Sequence, residues 1–357
     1  MKEYRMSSKI SAALAFVVAG TIAGSAMAQA GKPFPIRVAQ QPQRWAVEWY
    51  IATKKGWWEK IGLQPTMSTF ASGAPEVAAG AAGSWDVGAA GSIPSVLGAG
   101  RYKLQTIAIA DEEAAINTIM ATKDKADEYL KNPGLLKGKS IPVPLNSTGH
   151  WAASVCLEKK FKLKPGEWTF VNLSPAEINA AISSGRYDVT EAWAPNTYQL
   201  ESTIDARIIC SGRDVGLPIT SNLFAHPQFA KDHPDIVAKF LALYLRVIAW
   251  ERAHPKETEQ YLGAFYTEQG VNIPPKYLAR ELKDRPAFTL KEQLDLFKGA
   301  GTGKSKADDW LNQVAEFMKS VGTLSKVPDS KEYVTDKFLL MIERDPALKK
   351  FAEDSSD

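Results

Sequence analysis

The residues with the most chemical promise in this sequence are small and polar, and they fall where strands should end and helices begin. Ser72-Gly73, Gly91-Ser92 and Ser147-Thr148-Gly149 each join a hydroxyl to a glycine that lets the backbone come close to a ligand. A helix start adds unpaired N–H groups and partial positive charge, which together suit an anion. Helix capping alone explains any one of these turns. Three of them, drawn from two separate blocks of the chain, point to a shared cleft. Trp45, Trp151 and Trp193 stand beside the same turns, where an indole is either core or the wall of a ligand cavity. His150 donates to an anion or caps its own helix. Glu191 lies two residues before Trp193 and so shares its face of a regular strand. It is the nearest candidate for a ligand amine, against the plainer reading of a solvated or salt-bridged glutamate.

Patterns that announce catalysis are missing. No His-Glu-x-x-His, Gly-x-Ser-x-Gly or paired-cysteine motif occurs, and three of the four histidines (His226, His233, His254) directly precede proline. Acid pairs such as Glu112-Glu113 and Asp308-Asp309 read as solvated charges. The run Lys298 to Ser305 imitates a phosphate-binding loop. It has Lys298 where the first glycine belongs, and helical sequence precedes it instead of a strand, so a flexible surface loop is the better account. Asn146-Ser147-Thr148 and Asn172-Leu173-Ser174 match the glycosylation sequon, but each asparagine also has a local turn role. No catalytic residue, metal site or cofactor is expected.

The elements that must position these turns alternate between strand and helix. Strands are expected at Pro35–Gln40, Leu63–Phe70 and Trp85–Ala90, with a helix over Trp45–Lys55 ending at Gly56. The alternation resumes with strands at Lys139–Pro144, Trp168–Leu173, Tyr187–Trp193 and Ala206–Cys210. Trp151–Lys160 is helical, and Ser174 with Glu177 opens another helix as a capping box. This is the pattern of an α/β fold built on doubly wound, mostly parallel sheets. From about residue 230 the chain is helical. Ile236, Val237, Phe240, Leu241, Tyr244, Val247 and Ile248 make one apolar face, and Trp310, Leu311, Val314, Phe317, Met318 and Val321 make another.

Length, charge and cysteine content narrow the class further. A chain of 357 residues is long enough for two domains, and its formal charge of +3 is too small for an extended nucleic-acid footprint. Residues 1–28 have the form of a secretory signal peptide: Lys2, Arg5 and Lys9, then the uncharged Ile10–Ile22, then Ala26-Met27-Ala28. Cleavage would leave Gln29 as the mature N-terminus of a soluble exported protein. Export permits a disulfide between Cys156 and Cys210. The helix bearing Cys156 follows the first strand of its block and Cys210 ends the last, elements that usually lie apart, so two free thiols are expected.

With these residues in view, a resemblance is clear. Gly56-Trp57-Trp58-Glu59-Lys60-Ile61-Gly62-Leu63, Asp86 to Pro94, Leu136 to Ser140 followed by Ser147-Thr148, and Ser184 to Asp188 with Trp193-Ala194-Pro195 occur in order. Together they resemble the periplasmic solute-binding proteins of nitrate/sulfonate/taurine ABC transporters. The resemblance implies a type II two-lobe protein, a monomer, that closes on a small anionic solute and delivers it to a membrane permease. It places lobe one at 33–112 and 222–357 and lobe two at 113–221, with hinges near 107–118 and 212–224. Its ligand contacts carry over to Gln41, Trp45, Ser72, Gly73, Gly91, Ser92, Ser147, Thr148, Gly149 and Trp193. Many sulfonate binders have aspartate between the tryptophan and the proline, where this chain has Ala194. A carboxylate with an apolar or aromatic body is therefore as good a ligand as a sulfonate. Two other readings stay open: a binding protein for a pyrimidine precursor of thiamine, and a ligand sensor serving a membrane receptor. Pyrimidine-making enzymes of related fold carry a cysteine cluster, which this chain lacks.

Overall fold

The computed structural model describes Met1 and residues 32–357, so the expected export segment lies outside the described residues apart from Met1. Strand β1 (Phe34–Gln40) pairs in parallel with β2 (Leu63–Thr69) on one side and with β3 (Val87–Gly91) on the other. Strand β10 (Thr220–Ala225) returns antiparallel between β3 and β4 (Gln105–Glu112), completing a sheet of order β2-β1-β3-β10-β4. The chain thus leaves β1 to one side for β2 and to the other for β3. Between them opens the kind of crevice in which α/β sheets hold ligands.

A second group of strands holds the middle of the chain. Strand β5 (Asn117–Ala121) runs antiparallel between β8 (Val189–Trp193) and β9 (Arg207–Ser211). Strands β6 (Ser140–Val143) and β7 (Thr169–Asn172) form a parallel pair, and Thr190 of β8 donates to the Pro142 carbonyl of β6 at 3.0 Å. The chain crosses between the two groups twice, at residues 113–116 and 212–219. The seven strands expected from sequence coincide with β1–β3 and β6–β9 to within two residues. Strands β4, β5 and β10 overlap the segments read as hinges. They are buried on both faces, so they carry no in-out alternation to mark them.

Helices after residue 226 pack on the five-stranded sheet and make the larger core. The expected helix Trp45–Lys55 begins as a 3-10 turn, Arg44–Ala46, and continues as an α-helix, Val47–Lys54. Gly56 follows it at φ 65°, a left-handed turn that glycine takes without a Cβ penalty. Trp45 meets Trp49 edge-on at 5.5 Å, and Trp49 meets Phe240 of the long helix Pro234–Ala253 at 5.7 Å. The apolar face expected on that helix is buried throughout. On the helix Lys306–Ser320, Leu311, Val314 and Met318 are buried, whereas Val321 lies past its end and is exposed. The glycine-rich run before it is a string of turns, and Ser305 caps the helix in a box with Asp308. Asp308 is therefore a buried cap, not the solvated charge expected of it.

Buried arginines tie the C-terminal helices to this sheet. Arg285 pairs with Asp111 at 3.1 Å, Glu281 at 3.0 Å and Glu113; Arg44 pairs with Glu251 at 2.6 Å and with Glu48. Five acids share two guanidiniums, and burial pushes the Glu48 carboxyl up to about 8 against the pull of Arg44.

The expectation of two free thiols is overturned. Cys156 and Cys210 form a disulfide with Cα atoms 6.1 Å apart. Strand β9 lies directly beside β5, and the helix Thr148–Val155 packs over both of them. That placement brings Cys156, in the π turn that follows the helix, onto Cys210. The error came from assuming parallel winding, which sends a last strand away from the first helix.

Candidate functional site

Three helices start around one cleft: Gly73–Ala81, Ser92–Tyr102 and Thr148–Val155. The first two follow β2 and β3, and the third follows β6, so both groups of strands contribute. The cleft encloses about 470 Å³, its mouth included. Nine of the expected residues line it: Gln41, Trp45, Ser72, Gly73, Gly91, Ser147, Thr148, Gly149 and Trp193.

Local structure leaves donors free at these helix starts. Ser72 makes no side-chain bond to its helix, and Pro75 has no N–H to offer, so Gly73 and Ala74 present the open donors there. Ser147 does cap: its Oγ accepts from His150 N–H at 3.0 Å, leaving the Thr148 and Gly149 N–H groups towards the cleft. Ile93 N–H donates to Thr148 Oγ1 at 3.4 Å, so two of the helix starts touch. A Cβ at Gly91 would collide with that hydroxyl, which explains why only glycine fits there. Trp45 and Trp193 are almost fully buried and supply apolar walls.

Three expected site residues do not line the cleft. Ser92 is buried behind the start of its own helix, with its hydroxyl unpartnered. His150 sits between Phe170 at 4.9 Å and Phe317 at 6.1 Å, and burial pushes its pKa down to about 4. It is neutral near pH 7, packs as an aromatic, and offers an anion no charge. Glu191 is fully buried with both carboxylate oxygens unpartnered, so it is not the solvated or ion-paired side chain of the plainer reading. Desolvation pushes its pKa well up, and its carboxyl occupies the space where a Cβ of Gly149 would be. Trp151 is core as well, packed on Phe317 at 6.0 Å.

Sequence reading missed Gln43, Glu113, Asn117 and Ser221, all of which line the cleft. Glu113 is buried, paired with Arg285, and among the described residues is the one ionisable side chain in the lining, so it is not the solvated charge expected of Glu112-Glu113. Arg285 also donates to Gln43 at 3.1 Å. Gln41 donates to the buried Glu76 at 2.7 Å. Asn146 lines the cleft in a left-handed turn at φ 60°, and its side chain takes the Thr323 hydroxyl at 3.2 Å. The second sequon asparagine, Asn172, is engaged too, accepting from Leu145 N–H at 3.0 Å. Among the described residues no cluster of three or more His, Cys, Asp or Glu is placed to hold a metal ion, and no helix is long and apolar enough to cross a membrane.

A family model described as NMT1/THI5 like matches residues 46–258, more than half of the chain. The chain belongs to this family. It is 30% identical over 279 residues to a taurine-binding periplasmic protein of Escherichia coli, covering 76% of this chain and 82% of that one. A putative aliphatic sulfonates-binding protein of Bacillus subtilis is 26% identical over 212 residues, covering 58% and 63%. Among solved structures, the periplasmic aliphatic sulphonate binding protein of Escherichia coli superposes with a TM-score of 0.67 at 19% identity, over 85% of this chain and 92% of that one. The periplasmic nitrate-binding protein of Synechocystis PCC 6803 also gives 0.67, at 12% identity over 91% and 92%. The fold is therefore the two-lobe α/β architecture of periplasmic binding proteins.

Proposed function

We propose that the protein is an exported solute-binding protein that captures a small anion, a sulfonate or a carboxylate, and hands it to the permease of an ABC importer. One observation carries this reading: three helix N-termini from both strand groups converge on one cleft whose lining, among the described residues, holds no Lys, Arg or His. The relatives named for taurine, sulfonate and nitrate binding support the same ligand class. Lobe one is residues 33–112 with 222–357, lobe two is 113–221, and the crossings near 107–118 and 212–224 are the hinges. Closure dries the cleft and strengthens each bond to the charge. The chain acts by binding, without catalysis, in the periplasm after cleavage behind Ala28.

The test is a thermal-shift screen of sulfonates and carboxylates with a pyrimidine arm, followed by calorimetric titration. Ligand at a hundred times its dissociation constant stabilises the fold by about 2.7 kcal/mol. For a chain of this size that raises the midpoint by about 5–10 °C. Gly91→Ala should weaken binding at least about tenfold, because the added methyl group meets Thr148 when the cleft closes. A shift with the pyrimidine alone, or unchanged affinity in Gly91→Ala, defeats the reading.

A further inference from the structure

We propose that the captured anion also carries an ammonium group a few bonds from its anionic end, and that Glu113 reads that group. The inference rests on the cleft being the solute site. Among the described residues its lining contains a single ionisable side chain, and that side chain is an acid. A bare anion drawn to the helix starts would meet a carboxylate of like charge in a closing, water-poor space. A zwitterion turns the same arrangement into attraction at both ends.

Glu113 is held as a recognition group would be. Arg285 grips its Oε1, and that guanidinium is fully buried and does not reach the cleft. Among the described residues its Oε2 accepts no hydrogen bond, and it is not one of the occluded, unpartnered oxygens. The backbone is fixed as well: Glu113 N–H donates to the Ile219 carbonyl at 2.8 Å, and Asn117 Nδ2 donates to the Glu113 carbonyl at 3.1 Å. Its position, in the first crossing between the strand groups, puts the free oxygen between the converging helix starts. That oxygen lies 3.8 Å from where a Cβ of Gly91 would stand. Cation and anion sites are thus nearly adjacent, and the ligand must be short. Arg285 is a positioning residue here, since it also holds Gln43. Glu191, the acid that sequence reading favoured for an amine, is sealed behind Gly149 and does not meet the cleft.

Two matched pairs test this by calorimetric titration at pH 7: taurine against ethanesulfonate, and β-alanine against propionate. In at least one pair the ammonium-bearing member should bind ten or more times tighter than its partner. Glu113→Gln should abolish that preference, weakening the ammonium-bearing member while the partner lacking nitrogen binds as tightly as before or tighter, with an unliganded unfolding midpoint to show that the variant folds. Equal binding within both pairs overturns the proposal and leaves the anion site standing. No binding by any of the four overturns the proposal and the anion site together. A preference that survives in Glu113→Gln shows the cation is read elsewhere, and that too overturns it.

Discussion

Arg285 and the first turn of the Thr148 helix are both buried sources of positive charge, yet they are balanced in different ways. Arg285 is surrounded by Asp111, Glu113 and Glu281, acids supplied by the chain itself. The helix start faces a cleft in which, among the described residues, no charged side chain caps its outward N–H groups. A full charge buried without a partner costs several kcal/mol, so an arginine in the cleft would need a permanent counter-ion. A helix terminus carries only about half a charge and tolerates an empty site. The comparison teaches why the proposed solute site, which must fill and empty, would use backbone dipoles, while a permanent joint uses ion pairs.

The sharpest way to break that comparison is Arg285→Met, which leaves three acids without their guanidinium. It should cost about 3–5 kcal/mol in denaturant unfolding. A loss below about 1 kcal/mol would mean the acids are already neutral and the joint is not ionic. Next in size is the pH dependence of the two regions, which should have opposite signs. His150 has a folded pKa of about 4 against 6.5 when unfolded, so the unfolded chain takes up the proton first as pH falls. Stability should drop through pH 6.5 to 4 by about 3 kcal/mol from this group, and His150→Phe should remove that loss. Glu48 in the ionic joint, with a folded value of about 8 against 4.5, binds its proton more tightly when folded. Its contribution therefore falls as pH rises from 4.5 towards 8, and Glu48→Gln should flatten that limb in unfolding curves measured across the range. The smallest effect sharpens the comparison at the cleft edge. Ser147→Ala removes the cap on His150 N–H and should cost about 1 kcal/mol of unliganded stability, measured by thermal unfolding.

The sequence made the cleft's helix-start half legible because its chemistry is local. Ser72-Gly73, Gly91 and Ser147-Thr148-Gly149 sit where strand gives way to helix, and that junction can be read in a short window. The other half was hidden for an equally physical reason. Gln43 and Glu113 owe their roles to Arg285, which is 242 residues from the first and 172 from the second. No window contains such a pairing. Strands β4, β5 and β10 escaped because full burial erases alternation, and the thiol expectation failed with them: without β5 there was no reason to place β9 under the helix that leads to Cys156. Ser92 and His150 each sit one residue past a glycine that lines the cleft, and Glu191 shares the strand face of Trp193 but lies behind Gly149.

The disulfide has one more consequence, for traffic through a pore. Cys156 and Cys210 are 54 residues apart in sequence, and the link closes everything between them into a ring. An unlinked chain can be drawn end-first through a narrow channel as a single thread. Once the ring is closed, the same stretch presents two strands side by side and no longer fits. With the proposed export, oxidation on the far side of the membrane would act as a ratchet, making the crossing a one-way passage.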